Sequence, residues 1–285
     1  MRLLAKLLEF DDIAPRIGSE GLHLFDVRWY LDGSDGYSAY LERHIRSSMF
    51  LDVDNCLSNH ESSDKGEGRH PLPNPKSFEL VLESLGVARG DQLVFYDDQA
   101  GSIAARAWWM ASAIGFDAAL LNGGLDCVPE GMTDQGRMRP RPMTRLPYAA
   151  SGSWNPELVI NEAELKKKIA SDSIIVLDAR SKERYLGINE SIDPRAGHIP
   201  GAVSAFWRQN IDSRNRFKKP DEIARNFRQL GIEEANGKEV ASSCGSGITA
   251  CHNIFSLLYS MNIQARLYPP SFSGWCSSPE NRVDQ

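Results

Sequence analysis

The chain has 285 residues with 32 Lys+Arg against 38 Asp+Glu, a net charge of −6, and is 41% hydrophobic and 25% charged. That is ordinary globular composition, long enough for two domains that each bury a core. It excludes collagenous and disordered classes, and without a Lys/Arg cluster it gives no reason to expect nucleic acid as a partner.

The opening Met1–Asp12 is broken by Lys6 and Glu9 and has neither the apolar stretch nor the small-residue cleavage site of a secretory signal. No apolar run approaches the roughly 18–20 residues of a membrane span. Five scattered cysteines (Cys56, Cys127, Cys244, Cys251, Cys276) form no Cys-x-x-Cys pair. They argue for a reducing compartment rather than a disulfide or zinc framework, so the expected location is cytoplasmic, with no membrane partner.

In chain order, strands are predicted at 22–26, 92–96 and 118–121, with helices at 76–85 and 103–114. A second series follows, with strands at 174–178, 239–242 and 265–268 and helices at 162–170, 221–230 and 248–261. Alternation of this kind predicts an α/β fold, mostly parallel sheet with helices on both faces. The series repeats. Asp26-Val-Arg28 returns as Asp178-Ala-Arg180, His44-Ile45 as His198-Ile199, Leu85-Gly86 as Leu230-Gly231, and Asp98-Gln-Ala-Gly101 as Cys244-Gly-Ser-Gly247. Four landmarks in one order indicate a duplicated domain. Prolines and Ser-Gly-Ser between Pro129 and Pro156 mark the connector, giving an N-terminal domain over 1–130, a linker over 131–156 and a C-terminal domain over 157–285.

The segment Val240-Ala-Ser-Ser-Cys244-Gly-Ser-Gly-Ile-Thr249 places a thiol between a strand and a helix. Gly245 and Gly247 permit a bend whose N–H groups point inward as an anion nest, and the helix start adds partial positive charge. Such surroundings favour thiolate over thiol, the nucleophilic form. A buried cysteine beside an ordinary turn fits the loop equally well. The duplication weighs against that plainer reading, because the first copy carries Asp98 there and the fold therefore does not need a thiol. Phosphatase chemistry is disfavoured, since the position six residues after Cys244, where an arginine would hold phosphate, is Ala250.

The whole chain resembles the tandem-rhodanese-domain sulfurtransferases, which include thiosulfate and 3-mercaptopyruvate sulfurtransferases. The resemblance rests on Gly68-Arg-His-Pro-Leu-Pro73, Tyr96-Asp-Asp-Gln-Ala-Gly101 with Ala105-Arg-Ala-Trp-Trp109, Leu121-Asn-Gly-Gly-Leu125, Arg184-Tyr-Leu-Gly187, Gly197-His-Ile-Pro-Gly-Ala202, Cys244-Gly-Ser-Gly-Ile-Thr249 and Ser271-Phe-Ser-Gly-Trp275. It implies two five-stranded parallel domains with the active site in the cleft between them. The first is non-catalytic, with Asp98 in the cysteine position, and the second carries a persulfide-forming Cys244. The uncharged loop after Cys244 resembles the mercaptopyruvate branch, whereas thiosulfate enzymes tend to carry basic residues there.

That resemblance also implies a relay of Ser246, His70 and Asp54 and a donor carboxylate held by Arg184. Arg195 stands near a second substrate arginine of the family, but the segment carrying it is shorter here. Gly245, Gly247, Ile248 and Thr249 complete the substrate-binding loop. The expected reaction moves a sulfane sulfur from 3-mercaptopyruvate through Cys244 to a thiol or cyanide, with a thioredoxin-like protein as a further acceptor and no metal or organic cofactor. Thiosulfate as donor and a non-catalytic sulfur-carrier docking module are the alternatives. Trp108 and Trp109 are expected as core and interdomain packing, His44 and His198 as hydrogen-bonded structural histidines, and Cys251 as helix packing.

Overall fold

A computed structural model describes residues 2–59, 62, 64–138, 152–188, 190–233 and 237–285. The first sheet has five strands in the order Lys6–Leu8, Asp117–Leu121, Gln92–Tyr96, Leu22–Asp26, Met49–Phe50, each paired in parallel with its neighbour. The second runs Arg266–Leu267, Glu239–Ser243, Ile174–Asp178, Val203–Ser204, again all parallel. It has four strands rather than the five expected. The outer position that Lys6–Leu8 fills in the first sheet is reduced to a single parallel bridge between Val159 and Leu267.

Central strands read as continuous apolar runs because both faces are covered. In Gln92–Tyr96 every residue is buried. Leu93 and Phe95 join one core cluster, while Val94 and Tyr96 join another on the opposite face. The first of these clusters is continuous across both halves of the chain. It joins the Ala-rich helix Ala104–Ala113 to the helix Ala250–Met261, where the fully buried Trp108 meets Phe255 edge-on at 4.8 Å. Trp109 packs on Trp154 at 5.2 Å, so both tryptophans are packing residues as expected. The small side chains of the first helix let the second approach closely.

The repeat extends to individual hydrogen bonds. Arg28 holds Asp26 with Nε and Nη2 and donates Nη2 to the Arg43 carbonyl at 2.6 Å; Arg180 holds Asp178 in the same way and donates to the Gly197 carbonyl at 2.7 Å. His44 stacks on Tyr40 and bonds its carbonyl at 2.8 Å, and His198 does the same with Tyr185 at 2.9 Å. Both histidines are therefore bound up in the framework. His44–Ile45 pairs antiparallel with Thr133–Asp134, matched by a bridge between His198 and Asp284. The chain through Asp134 thus lies on the first sheet's body, past the start of the expected linker, and residues 139–151 of that linker lie outside the described residues.

Candidate active site

Two parallel strands, Gln92–Tyr96 and Glu239–Ser243, each end in a loop that leads into a helix, and the two loops differ in what fills them. In the first, the Asp97 carboxylate accepts N–H bonds from Gln99, Gly101, Ile103 and Ala104 at 2.7–2.9 Å. The nest is occupied by the protein's own anion. Its neighbour Asp98, at the cysteine position, accepts the Tyr30 hydroxyl at 2.6 Å. In the second loop the residue equivalent to Asp97 is Ser243, too short to fill the nest, and Gly247 N–H points instead at Cys244 Sγ at 3.1 Å. Gly247 sits at φ +82°, a conformation that glycine adopts without strain, and a Cβ there would lie 2.5 Å from the Pro269 carbonyl.

Cys244 lines a cavity of about 290 Å³ between the two halves. Trp29 and Leu31 wall it from the first, and Phe206 and Trp207 from the second. Ser246, Ile248, Thr249, Gly245 and Arg184 border it as well. Gly247 stands behind, its carbonyl accepting from Arg106.

Ser246 Oγ lies 2.8 Å from His70 Nδ1, across the domain boundary. His70 Nε2 lies 3.3 Å from Asp54 Oδ1. Asp54 is on the short helix Val53–Cys56, which Asp52 caps by accepting the Asp54 and Asn55 N–H groups. An acid at Nε2 selects the tautomer that leaves Nδ1 as an acceptor for the Ser246 proton. Trp29 packs its ring against the imidazole at 5.1 Å, nearly perpendicular, and only Asp54 of the three is substantially exposed. The structure therefore brings Asp54, His70, Ser246 and Cys244 into one constellation.

Arg184 is present but not free. It donates to Glu190 at 2.9 and 3.0 Å and to Asp193 at 2.8 Å. Burial alone pushes Glu190 up, but the Asp193 and Ile192 N–H groups and Arg184 outweigh it and hold its pKa below the usual carboxylate range. For Asp193 burial wins over Arg69 and Arg184 and pushes the pKa up. Arg195 is a correction. Its guanidinium donates to the Ser278 and Asn281 carbonyls at 3.2 and 2.8 Å, so it ties its loop to the C-terminal segment and does not line the cavity. Asp193, two residues earlier, is the member of this segment that meets Arg69 and Arg184.

Two site residues escaped the sequence reading. Arg69 lines the cavity, pairs with Asp193, and would lie 2.8 Å from a Cβ at Gly245. It adjoins His70 in the same motif, which was the available signal. Arg106 is completely buried and donates to the carbonyls of Leu57, His70 and Gly247, clamping the His70 and Cys244 loops together. Burial pulls its pKa down, opposed by the Cys251 and Cys244 thiols. Cys251 is fully buried, bonds the Gly247 carbonyl, and is pushed up to about 12 by burial, which makes it inert packing. No group of three or more His, Cys, Asp or Glu able to hold a metal occurs among the described residues, and no described helix is long and apolar enough to cross a membrane.

The rhodanese-like domain matches twice, over residues 9–127 and 161–278. The chain belongs to the rhodanese family. It is 36% identical over 287 residues to a Pseudomonas aeruginosa protein named "Probable 3-mercaptopyruvate sulfurtransferase", with 98% of each chain covered. It is 32% identical to a Mycobacterium tuberculosis protein provisionally named thiosulfate sulfurtransferase SseB, over 91% of this chain and 89% of that one. Among solved structures, the 3-mercaptopyruvate sulfotransferase SseA of Escherichia coli superposes with a TM-score of 0.77 at 27% identity, covering 94% of this chain and 99% of that one.

Proposed function

We propose that this protein is a sulfurtransferase that takes sulfur from 3-mercaptopyruvate through a Cys244 persulfide. The carrying observation is a chain of contacts that can relay a proton: Asp54 lies 3.3 Å from His70, and His70 lies 2.8 Å from Ser246 in the cysteine loop. A relay is useful for a donor that carries a thiol proton, which 3-mercaptopyruvate does and thiosulfate does not. The relatives named for 3-mercaptopyruvate support the same donor.

The Cys244 thiolate attacks the donor sulfur, the S–S bond forms, and the carbon–sulfur bond breaks with its electron pair on carbon. The relay passes the donor's thiol proton through Ser246 and His70 to that carbon, so pyruvate leaves and the persulfide remains an anion. Loop N–H groups, with Gly247 N–H already directed at the sulfur, stabilise that anion. Arg69 and Arg184 face the donor carboxylate, for which the planar guanidinium fork is suited. Cyanide or a small thiol then takes the outer sulfur and returns the Cys244 thiolate. A thioredoxin-like dithiol fits the same second step.

Thiosulfate is the second reading, favoured by the two guanidiniums over Gly245 and by the relative named for that donor. The donors are separated by Ser246→Ala. With 3-mercaptopyruvate, kcat/KM falls by about 10²–10⁴-fold, the usual contribution of a positioned acid–base group, while any thiosulfate activity changes little. An equal fall for both donors, or none, overturns the relay.

A further inference from the structure

The cavity's cations are balanced before any donor arrives. Asp193 presents one carboxylate oxygen to Arg69, from the first half of the chain, and the other to Arg184, from the second, at 2.8 Å for the latter. Glu190 takes Arg184 from the other side and reaches Arg180 at 3.5 Å, while Arg180 is already paired with Asp178. The cluster is thus Arg69, Arg180 and Arg184 against Asp178, Glu190 and Asp193, and it sums to zero. It is also layered. The side chains of Asp193 and Glu190 are 1% exposed, whereas those of Arg184 and Arg69 are 17% and 29% exposed and border the cavity. The Glu190 carboxylate is fixed by the N–H groups of Ile192 and Asp193, so the acids are built in and not swept there by chance.

A donor anion that binds Arg69 and Arg184 therefore sits just above Asp193 and feels its charge in proportion to its own. We propose that Asp193 is a specificity-determining residue that admits singly charged donors such as an α-keto carboxylate and weakens the binding of dianions such as thiosulfate. This deepens the sulfur-transfer reading and rests on it for the identity of the donors.

The test is equilibrium binding to the Cys244→Ser protein, with pyruvate as the single-charge probe and sulfate as the unreactive dianion. A unit charge about 6 Å from a bound anion, at an effective dielectric near 20 and discounted for screening, is worth at least about ten-fold in affinity per charge. Adding Asp193→Asn should tighten pyruvate by about ten-fold and sulfate by about a hundred-fold, so the sulfate-to-pyruvate affinity ratio rises about ten-fold. Asp193→Glu should keep the parent ratio. Glu190→Gln carries the same expected direction and serves if the Asn variant does not fold. An unchanged ratio in a folded variant overturns the proposal. The binding ratio decides on Asp193 even if neither donor loads sulfur on the parent enzyme, a result that would sink the sulfur-transfer reading instead.

Discussion

Arg106 ties together two loops from different halves of the chain, and its removal has a calculable cost. The side chain is fully buried and donates to three carbonyls: Leu57 at 3.2 and 3.4 Å, His70 at 2.9 Å and Gly247 at 3.1 Å. Arg106→Met keeps most of the volume, strands the Leu57 and His70 carbonyls, and leaves Gly247 only the weak Cys251 thiol donor. An unpaired buried carbonyl costs about 1–3 kcal/mol. Losing the buried charge recovers part of that, because the guanidinium itself is costly to desolvate. The net is a loss of about 3 kcal/mol, or about 6–12 °C in Tm for a chain of this size. Activity should fall further than stability explains, since the His70 and Gly247 backbones lose their common anchor and the His70–Ser246 bond loosens. Arg106→Lys keeps the charge but reaches fewer carbonyls, and should fall between. Thermal unfolding and sulfur-transfer assays on the three proteins decide it. A Tm within about 2 °C of the parent with full activity in the Met variant would refute the clamp.

Two further outcomes are expected. His252 is completely buried, stacked on Phe217 at 4.8 Å, and burial pushes its pKa down to about 3 from 6.5. Between those values the unfolded chain binds a proton that the folded one does not. Stability should therefore fall as pH drops through 6.5 and stop falling near 3, at about 1.4 kcal/mol per pH unit from this group. His252→Gln should flatten that slope in urea titrations run between pH 7 and 5, and an unaltered slope would contradict the assignment. Gly247→Ala forces a side chain into the φ +82° position against the Pro269 carbonyl. Persulfide loading should drop by at least about ten-fold with a modest stability loss of about 1–2 kcal/mol; normal loading would show that the nest tolerates distortion.

Periodicity located the strands within a residue or two at four central positions, because a strand buried on both faces is written as an apolar run. The duplicated landmarks were legible because each does the same local job twice, as Asp26–Arg28 and Asp178–Arg180 show. Cys244, Ser246, His70 and Asp54 were reachable from motif resemblance, and their convergence is a matter of geometry that no linear spacing encodes. Arg69 and Arg106 lie inside family motifs, but their roles, and that of Asp193, were not legible for the same reason. Each acts across the boundary between halves, through a carbonyl or carboxylate contact that spans 124 to 141 residues. Arg195 misled because charge alone marked it, while the direction of its side chain is set by the Ser278 and Asn281 carbonyls. The fifth strand of the second sheet was expected from the first, but only Val159 makes the pairing.

The central claim is that Cys244 carries the sulfur. Intact-protein mass spectrometry after separate incubation with 3-mercaptopyruvate and with thiosulfate tests it directly, with Cys244→Ser as control. The expected result is a gain of one sulfur atom on the parent protein only, formed faster from 3-mercaptopyruvate. An equal gain on Cys244→Ser, or no gain from either donor, would contradict it.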